Sequence, residues 1–126
     1  MSELYSEIIL DYYKNPRNKG ELEDATTKAT ELNPLCGDRV EFFLQTDTEG
    51  KIEKATFTGE GCAISQAATS MLTDFLLGKS LTELETMDNQ EIYDMLGVEI
   101  SPGRVKCALL GLVAAKKAAL IQKHSK

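Results

Sequence analysis

"KIEKATFTGEGCAISQAATSMLTDFLLG", residues 51–78, changes its period halfway along. Ala55 and Phe57 alternate with polar neighbours, as in a half-buried strand. Beyond Gly59-Glu60-Gly61, the residues Ile64, Ala67, Ala68, Met71, Leu72, Phe75 and Leu76 recur at helical spacing. The stretch predicts a strand, a break marked by glycine, and a helix that ends at Gly78 with Cys62 at its mouth.

Upstream, Val40, Phe42 and Leu44 alternate with Glu41, Phe43 and Gln45, and the turn-like residues Asp47 to Gly50 join this run to the next as an antiparallel hairpin. The threonine-rich stretch ATTKATELN, residues 25–33, predicts an edge strand. Leu4, Ile8, Ile9 and Tyr12 follow Ser2, a helix cap by type, and predict a helix from Glu3 to Lys14 that breaks at Asn15-Pro16. Residues 15–24, NPRNKGELED, read as a polar surface loop whose Arg17 is either solvated or an interface residue.

Downstream, Ser80-Leu81-Thr82-Glu83 and Asp88-Asn89-Gln90-Glu91 both carry helix-start chemistry, so short helices are expected between Leu81 and Leu96. Ser101-Pro102 opens a last helix whose expected core face is Val105, Ala108, Leu109, Leu112, Val113 and Leu120, with Lys116, Lys117 and Lys123 toward its carboxyl end. The order predicts an α+β fold, a small antiparallel three-stranded sheet with helices packed on one face, as one domain over residues 1–126.

Composition narrows the function classes. The 126 residues carry 14 Lys and Arg against 20 Asp and Glu, a formal net charge of -6, which argues against a nucleic-acid partner. A chain of this length buries roughly two thirds of its unfolded surface, so no metal or disulfide is needed to hold a core. No stretch approaches the ~20 apolar residues of a membrane span, and MSELYSEIILDYYK lacks a basic region followed by an apolar signal segment. A cytoplasmic protein without membrane contact is expected.

Three cysteines, at 36, 62 and 107, are odd in number and far apart, which argues against a disulfide framework and for reduced thiols. Cys36 precedes a strand, while Cys62 and Cys107 fall at helix amino ends, whose partial positive charge favours a thiolate. Gly37 lets the backbone bend so that Cys36 and Asp38 converge on one ion, and three thiolates with one carboxylate make a tetrahedral set. Such a set suits zinc or an iron-sulfur cluster, the carboxylate being the ligand easiest to exchange. Each cysteine by itself also fits plain packing, and Gly37-Asp38 by itself fits a turn.

The stretches LYSEIILDYYKNPRNKG (Leu4 to Gly20), NPLCGDRV (Asn33 to Val40), GEGCAISQAATSML (Gly59 to Leu72) and RVKCALLGL (Arg104 to Leu112) resemble, in order, the iron-sulfur cluster assembly family of IscU, the NifU amino-terminal domain and SufU. The resemblance implies that Cys36, Asp38, Cys62 and Cys107 are ligands of zinc, iron or a transient [2Fe-2S] cluster. It also implies a cysteine desulfurase as the sulfur-donating partner, and downstream iron-sulfur assembly or acceptor proteins as recipients. Cys36 is the expected sulfur acceptor and Cys107 the alternative.

The scaffold branch of that family usually has His before the third cysteine and a Leu-Pro-Pro-Val-Lys motif nearby. This sequence has Lys106 within Ser101-Pro102-Gly103-Arg104-Val105-Lys106 and so resembles SufU, although the segment between the second and third cysteines is short for that branch. The ammonium of Lys106 beside Cys107 is suited to stabilise a thiolate or persulfide. His124, the one histidine, is expected to carry no role. The readings that follow are a zinc-dependent sulfur relay, a cluster scaffold, and a structural domain with unreactive buried cysteines.

Overall fold

The computed structural model describes residues 3–34, 37–97 and 99–124, with the side chains of residues 3–6 and 124 left aside. The expected Ser2 cap and Cys36 therefore lie outside the described residues, as does the His124 side chain. The elements in order are α1 (Glu3–Lys14), β1 (Thr27–Asn33), β2 (Asp38–Thr46), β3 (Ile52–Glu60), α2 (Ala63–Phe75), α3 (Leu81–Glu85), α4 (Asn89–Leu96), a 3-10 turn (Pro102–Arg104) and α5 (Val105–His124).

The sheet is three-stranded and antiparallel, in the order β1-β2-β3. Alternation fixes its register: Ala29, Phe42 and Phe57 stand abreast, as do Thr27, Leu44 and Ala55. All six are buried and form the floor of the core. At the hairpin tip, Asp47 Oδ1 accepts from the amides of Glu49 at 2.8 Å and Lys51 at 3.0 Å, which closes the turn.

Helices cover this floor on one face, as expected. Helix α5 lies against β1 and β2, while α2 lies against β3 and α5. Leu72, Leu76 and Leu112 complete the core with Val40 and Phe42. Neighbouring segments bond to part of each outer strand, which limits pairing with another chain. The β3 edge bonds to the 15–20 loop through Gly20 N to Phe57 O at 2.7 Å and Phe57 N to Asn18 O at 3.1 Å. On β1, the Thr30 carbonyl accepts from Lys117 Nζ at 3.3 Å and Thr27 Oγ1 donates to the Ala118 carbonyl at 2.8 Å.

Three sequence expectations are corrected. The second helix ends at Phe75 rather than Gly78, because Gly78 turns to φ 84 and its amide bonds to Ile52 O instead of continuing the helix. The residues after Ser101 form a 3-10 turn, and the α-helix begins only at Val105. On α5, Val113 and Leu120 are 46% exposed, and the buried surface is a broad band of Cys107, Ala108, Leu110, Leu112, Ala114, Ala115, Ala118 and Ala119. Small residues let α5 sit close to both the sheet and α2, so contact spreads around the helix and a narrow stripe of large side chains is not needed.

The closest of these approaches is at Gly111, where a Cβ would overlap Thr69 Oγ1 of α2. Gly111→Ala is expected to destabilise the protein by about 1–3 kcal/mol through overpacking. This reverses the ~1 kcal/mol gain usual for Gly to Ala in a helix interior. Urea unfolding measures the sign.

Candidate metal and sulfur site

The site lies where three chain segments end. Asn33 closes β1 and pairs in register with Asp38, which opens β2. Gly37 between them holds φ 71, the left-handed conformation that brings the chain round tightly, and its amide bonds to Asn33 O at 2.9 Å. Asp38 is 2% exposed, and its Oδ1 accepts from the Cys62 amide at 3.1 Å.

That bond requires Gly61. A Cβ there would stand 2.6 Å from Asp38 Oδ1, so only glycine lets the end of β3 pass this close to the carboxylate. Cys62 follows as the amino cap of α2, with φ -70 and ψ 166. Its Sγ accepts from the Ser65 amide at 3.4 Å, the place usually taken by a serine or aspartate oxygen. Cys107 sits in the first turn of α5, fully buried, and Asn33 Nδ2 donates toward its Sγ at 3.9 Å.

One ligand atom from each of Asp38, Cys62 and Cys107 lies within 4.8 Å of the others. Two sulfurs each ~2.3 Å from a tetrahedral ion stand about 3.8 Å apart, so these three side chains are near enough to share one ion after small movements. Asp38 Oδ2 is buried without a hydrogen-bond partner among the described residues. A buried carboxylate oxygen left unpaired is costly. Two soft sulfurs and one hard oxygen beside that orphaned atom fit a thiophilic cation such as zinc or iron.

Of the residues singled out by sequence, Asp38, Cys62 and Cys107 are thus brought together, and Cys36 lies outside the described residues. Lys106 is exposed and borders an apolar depression with Leu32, Pro34, Leu109 and Val113. Arg17 ties its loop to two helices: its guanidinium is 3.0 Å from Asp11 and stacks 4.2 Å from the Tyr12 ring in α1, while its amide donates to Ser70 Oγ of α2 at 2.6 Å. The hydrogen bond from Arg17, with one from Asn15, holds the Asp11 carboxyl below the usual range.

Sequence reasoning passed over Asn33 and Gly61. Asn33 had a readable signal, since it falls in phase with Thr27 and Ala29 on the core side of β1, where a polar residue calls for a partner. The need for Gly61 arises only from the approach of β2, so no local pattern announces it.

Comparison with known proteins places this geometry in context. The family description "NifU-like N terminal domain" matches residues 4–125. The zinc-dependent sulfurtransferase SufU of Bacillus subtilis (strain 168) is 37% identical over 131 aligned positions, covering 90% of this chain and 88% of that protein. The iron-sulfur cluster assembly scaffold protein IscU of Haemophilus influenzae is 37% identical over 117 positions, covering 90% of this chain and 91% of its own. Among solved structures, FiSufU of the thermophilic Fervidobacterium islandicum AW-1 aligns with TM-score 0.75 at 31% identity, over 94% of this chain and 99% of that one. A NifU-like amino-terminal protein of Brucella abortus shares the fold, with TM-score 0.78 at 21% identity over 97% and 96% of the two chains.

The close contact at Gly61 gives a test that leaves every candidate ligand in place. Gly61→Ala is expected to break the bond from the Cys62 amide to Asp38 and so shift Cys62, weakening zinc binding roughly ten-fold, as loss of an outer-shell contact does. Competition against a chromophoric chelator reads the affinity, and far-UV circular dichroism checks that the helices persist.

Proposed function

The chain belongs to the NifU-like N-terminal domain family, and from that premise we propose that it serves iron-sulfur cluster biogenesis, accepting sulfur from a cysteine desulfurase and relaying it onward. The observation that carries the reading is the convergence of Asp38, Cys62 and Cys107, together with a buried Asp38 oxygen that has no hydrogen-bond partner among the described residues. Cys36, two residues before Asp38, is the proposed fourth ligand and first sulfur acceptor. Cys107 is the alternative acceptor. Zinc bound by these four side chains would hold the thiols as thiolates until they are needed.

Asp38 is the exchangeable member, since a carboxylate binds a thiophilic ion less firmly than a thiolate does. When the desulfurase docks, the Cys36 thiolate attacks the outer sulfur of the donor's persulfide. A new S–S bond forms on Cys36, the donor's S–S bond breaks, and the donor cysteine leaves as a thiolate. Lys106, exposed one residue before Cys107, is the proposed electrostatic stabiliser of an anionic thiolate or persulfide during this exchange. Downstream iron-sulfur assembly or acceptor proteins then take the sulfur.

A second reading treats the same four residues as a scaffold on which iron and sulfide, as cargo, assemble into a transient [2Fe-2S] cluster. It is favoured by the relatives named as scaffolds and by the mixed thiolate and carboxylate set, which binds a cluster without locking it in. No helix among the described residues is long and apolar enough to cross a membrane. We place the reaction in the cytoplasm.

Cys62→Ser, Cys107→Ser and Cys36→Ser are each expected to remove most zinc binding, measured by metal analysis of the purified chain. Asp38→Ala should retain the metal but release it more slowly. Tight zinc together with faster desulfurase turnover supports the relay. A stable visible charge-transfer spectrum after anaerobic reconstitution, with transfer to an apo-acceptor, supports the scaffold. Full zinc affinity in all three cysteine variants overturns the ligand assignment.

A further inference from the structure

Among the described residues, the buried side-chain atoms without a hydrogen-bond partner include Asp38 Oδ2, Ser65 Oγ and Gln66 Nε2. The last two follow closely on Cys62 in the helix it caps. Their needs differ in sign. Asp38 Oδ2 is an acceptor and a cation satisfies it, whereas an amide NH2 only donates and requires an electron-rich partner, to which the hydroxyl can donate as well. A bare metal ion cannot serve the amide NH2, but a sulfur atom can accept from both groups.

Gln66 has the more closely defined orientation. It is 3% exposed, and its Oε1 accepts from Lys19 Nζ at 3.1 Å. An ammonium only donates, so Lys19 fixes the oxygen end of the carboxamide toward the 15–20 loop and turns the NH2 end away from it. Cys62 is four residues earlier, its carbonyl accepting from the Gln66 amide at 3.0 Å. Residues at this spacing share a helix face, and helical side chains lean toward the amino end, which carries the Gln66 carboxamide toward the cysteine. Ser65 already serves Cys62 Sγ through its backbone amide, and its side chain is fully buried.

We propose that Gln66, oriented by Lys19, is a positioning residue that donates a hydrogen bond to the sulfur held at Cys62 when the site is loaded, with the Ser65 hydroxyl as a second donor. The inference rests on the reading that Cys62 is a ligand. An outer donor of this kind withdraws electron density from a metal-bound sulfur and fixes its direction. In the unloaded protein the same donor has no partner among the described residues, which is destabilising. Gln66 therefore serves the loaded state at the expense of the empty one, the reverse of a residue kept for packing.

The test uses the full chain with Co(II) as the probe. Gln66→Met keeps the length of the side chain and removes the donor. It is expected to weaken Co(II) binding roughly ten-fold, to move the sulfur-to-cobalt charge-transfer band to longer wavelength, and to raise the melting temperature of the metal-free protein. Lys19→Met, on an exposed side chain, should move the band the same way by a smaller amount, and it decides the matter if Gln66→Met fails to fold. Unchanged affinity and band position in both variants, with the wild-type chain binding Co(II), overturn this inference alone. So does a lower metal-free melting temperature in Gln66→Met with no effect of Lys19→Met. A wild-type chain that binds no Co(II) overturns the ligand reading and this inference together.

Discussion

The hydrogen bond from the Cys62 amide to Asp38 joins the open end of the sheet to the amino end of α2. It uses one oxygen of a buried carboxylate and leaves the other without a hydrogen-bond partner among the described residues. Gly61 makes the bond possible by carrying no side chain, and Gly37 makes it reachable by turning β1 into β2. Cys107 is brought to the same point because α5 lies on β1 and β2, and against α2 at the Thr69 and Gly111 contact. The site's spacing is therefore set by helix packing on a sheet of fixed register, and a shift of α5 along α2 would open it.

The polar side of α2 follows from the same constraint. Ser65, Gln66, Thr69, Ser70 and Thr73 are all buried. In an isolated helix this side would face water. Here the 15–20 loop closes over part of it: Arg17 N donates to Ser70 Oγ, Asn18 Nδ2 donates to Thr73 Oγ1 at 2.9 Å, and Lys19 reaches Gln66. That loop is also bonded to the edge of β3. One polar segment thus bonds to a sheet edge, satisfies part of a buried helix face and orients the Gln66 carboxamide.

Much of the fold was legible along the chain because its patterns are local. Alternation at Val40, Phe42 and Leu44 specified β2, and the change of period after Gly61 separated β3 from α2. Ser80 and Asp88 each cap a helix as their spacing to Glu83 and Glu91 predicts. Helix α5 resisted the same reading. Its buried side is mostly alanines, with Cys107, Gly111, Leu110 and Leu112, while the large residues Val113 and Leu120, which look like core in sequence, are left at the surface.

By itself the sequence singled out the residues proposed to carry the chemistry, since few residue types bind a thiophilic ion and three cysteines and an aspartate were expected at element ends. It also determined the α+β class and the antiparallel pairing, because side-chain period and turn chemistry act over a few residues. Tertiary structure alone decided that Asp38, Cys62 and Cys107 meet, that Asn33 reaches Cys107, and that Gly61 has no substitute. Those outcomes depend on distances between segments remote in sequence, which are fixed only when helices settle into contact with the sheet and with each other.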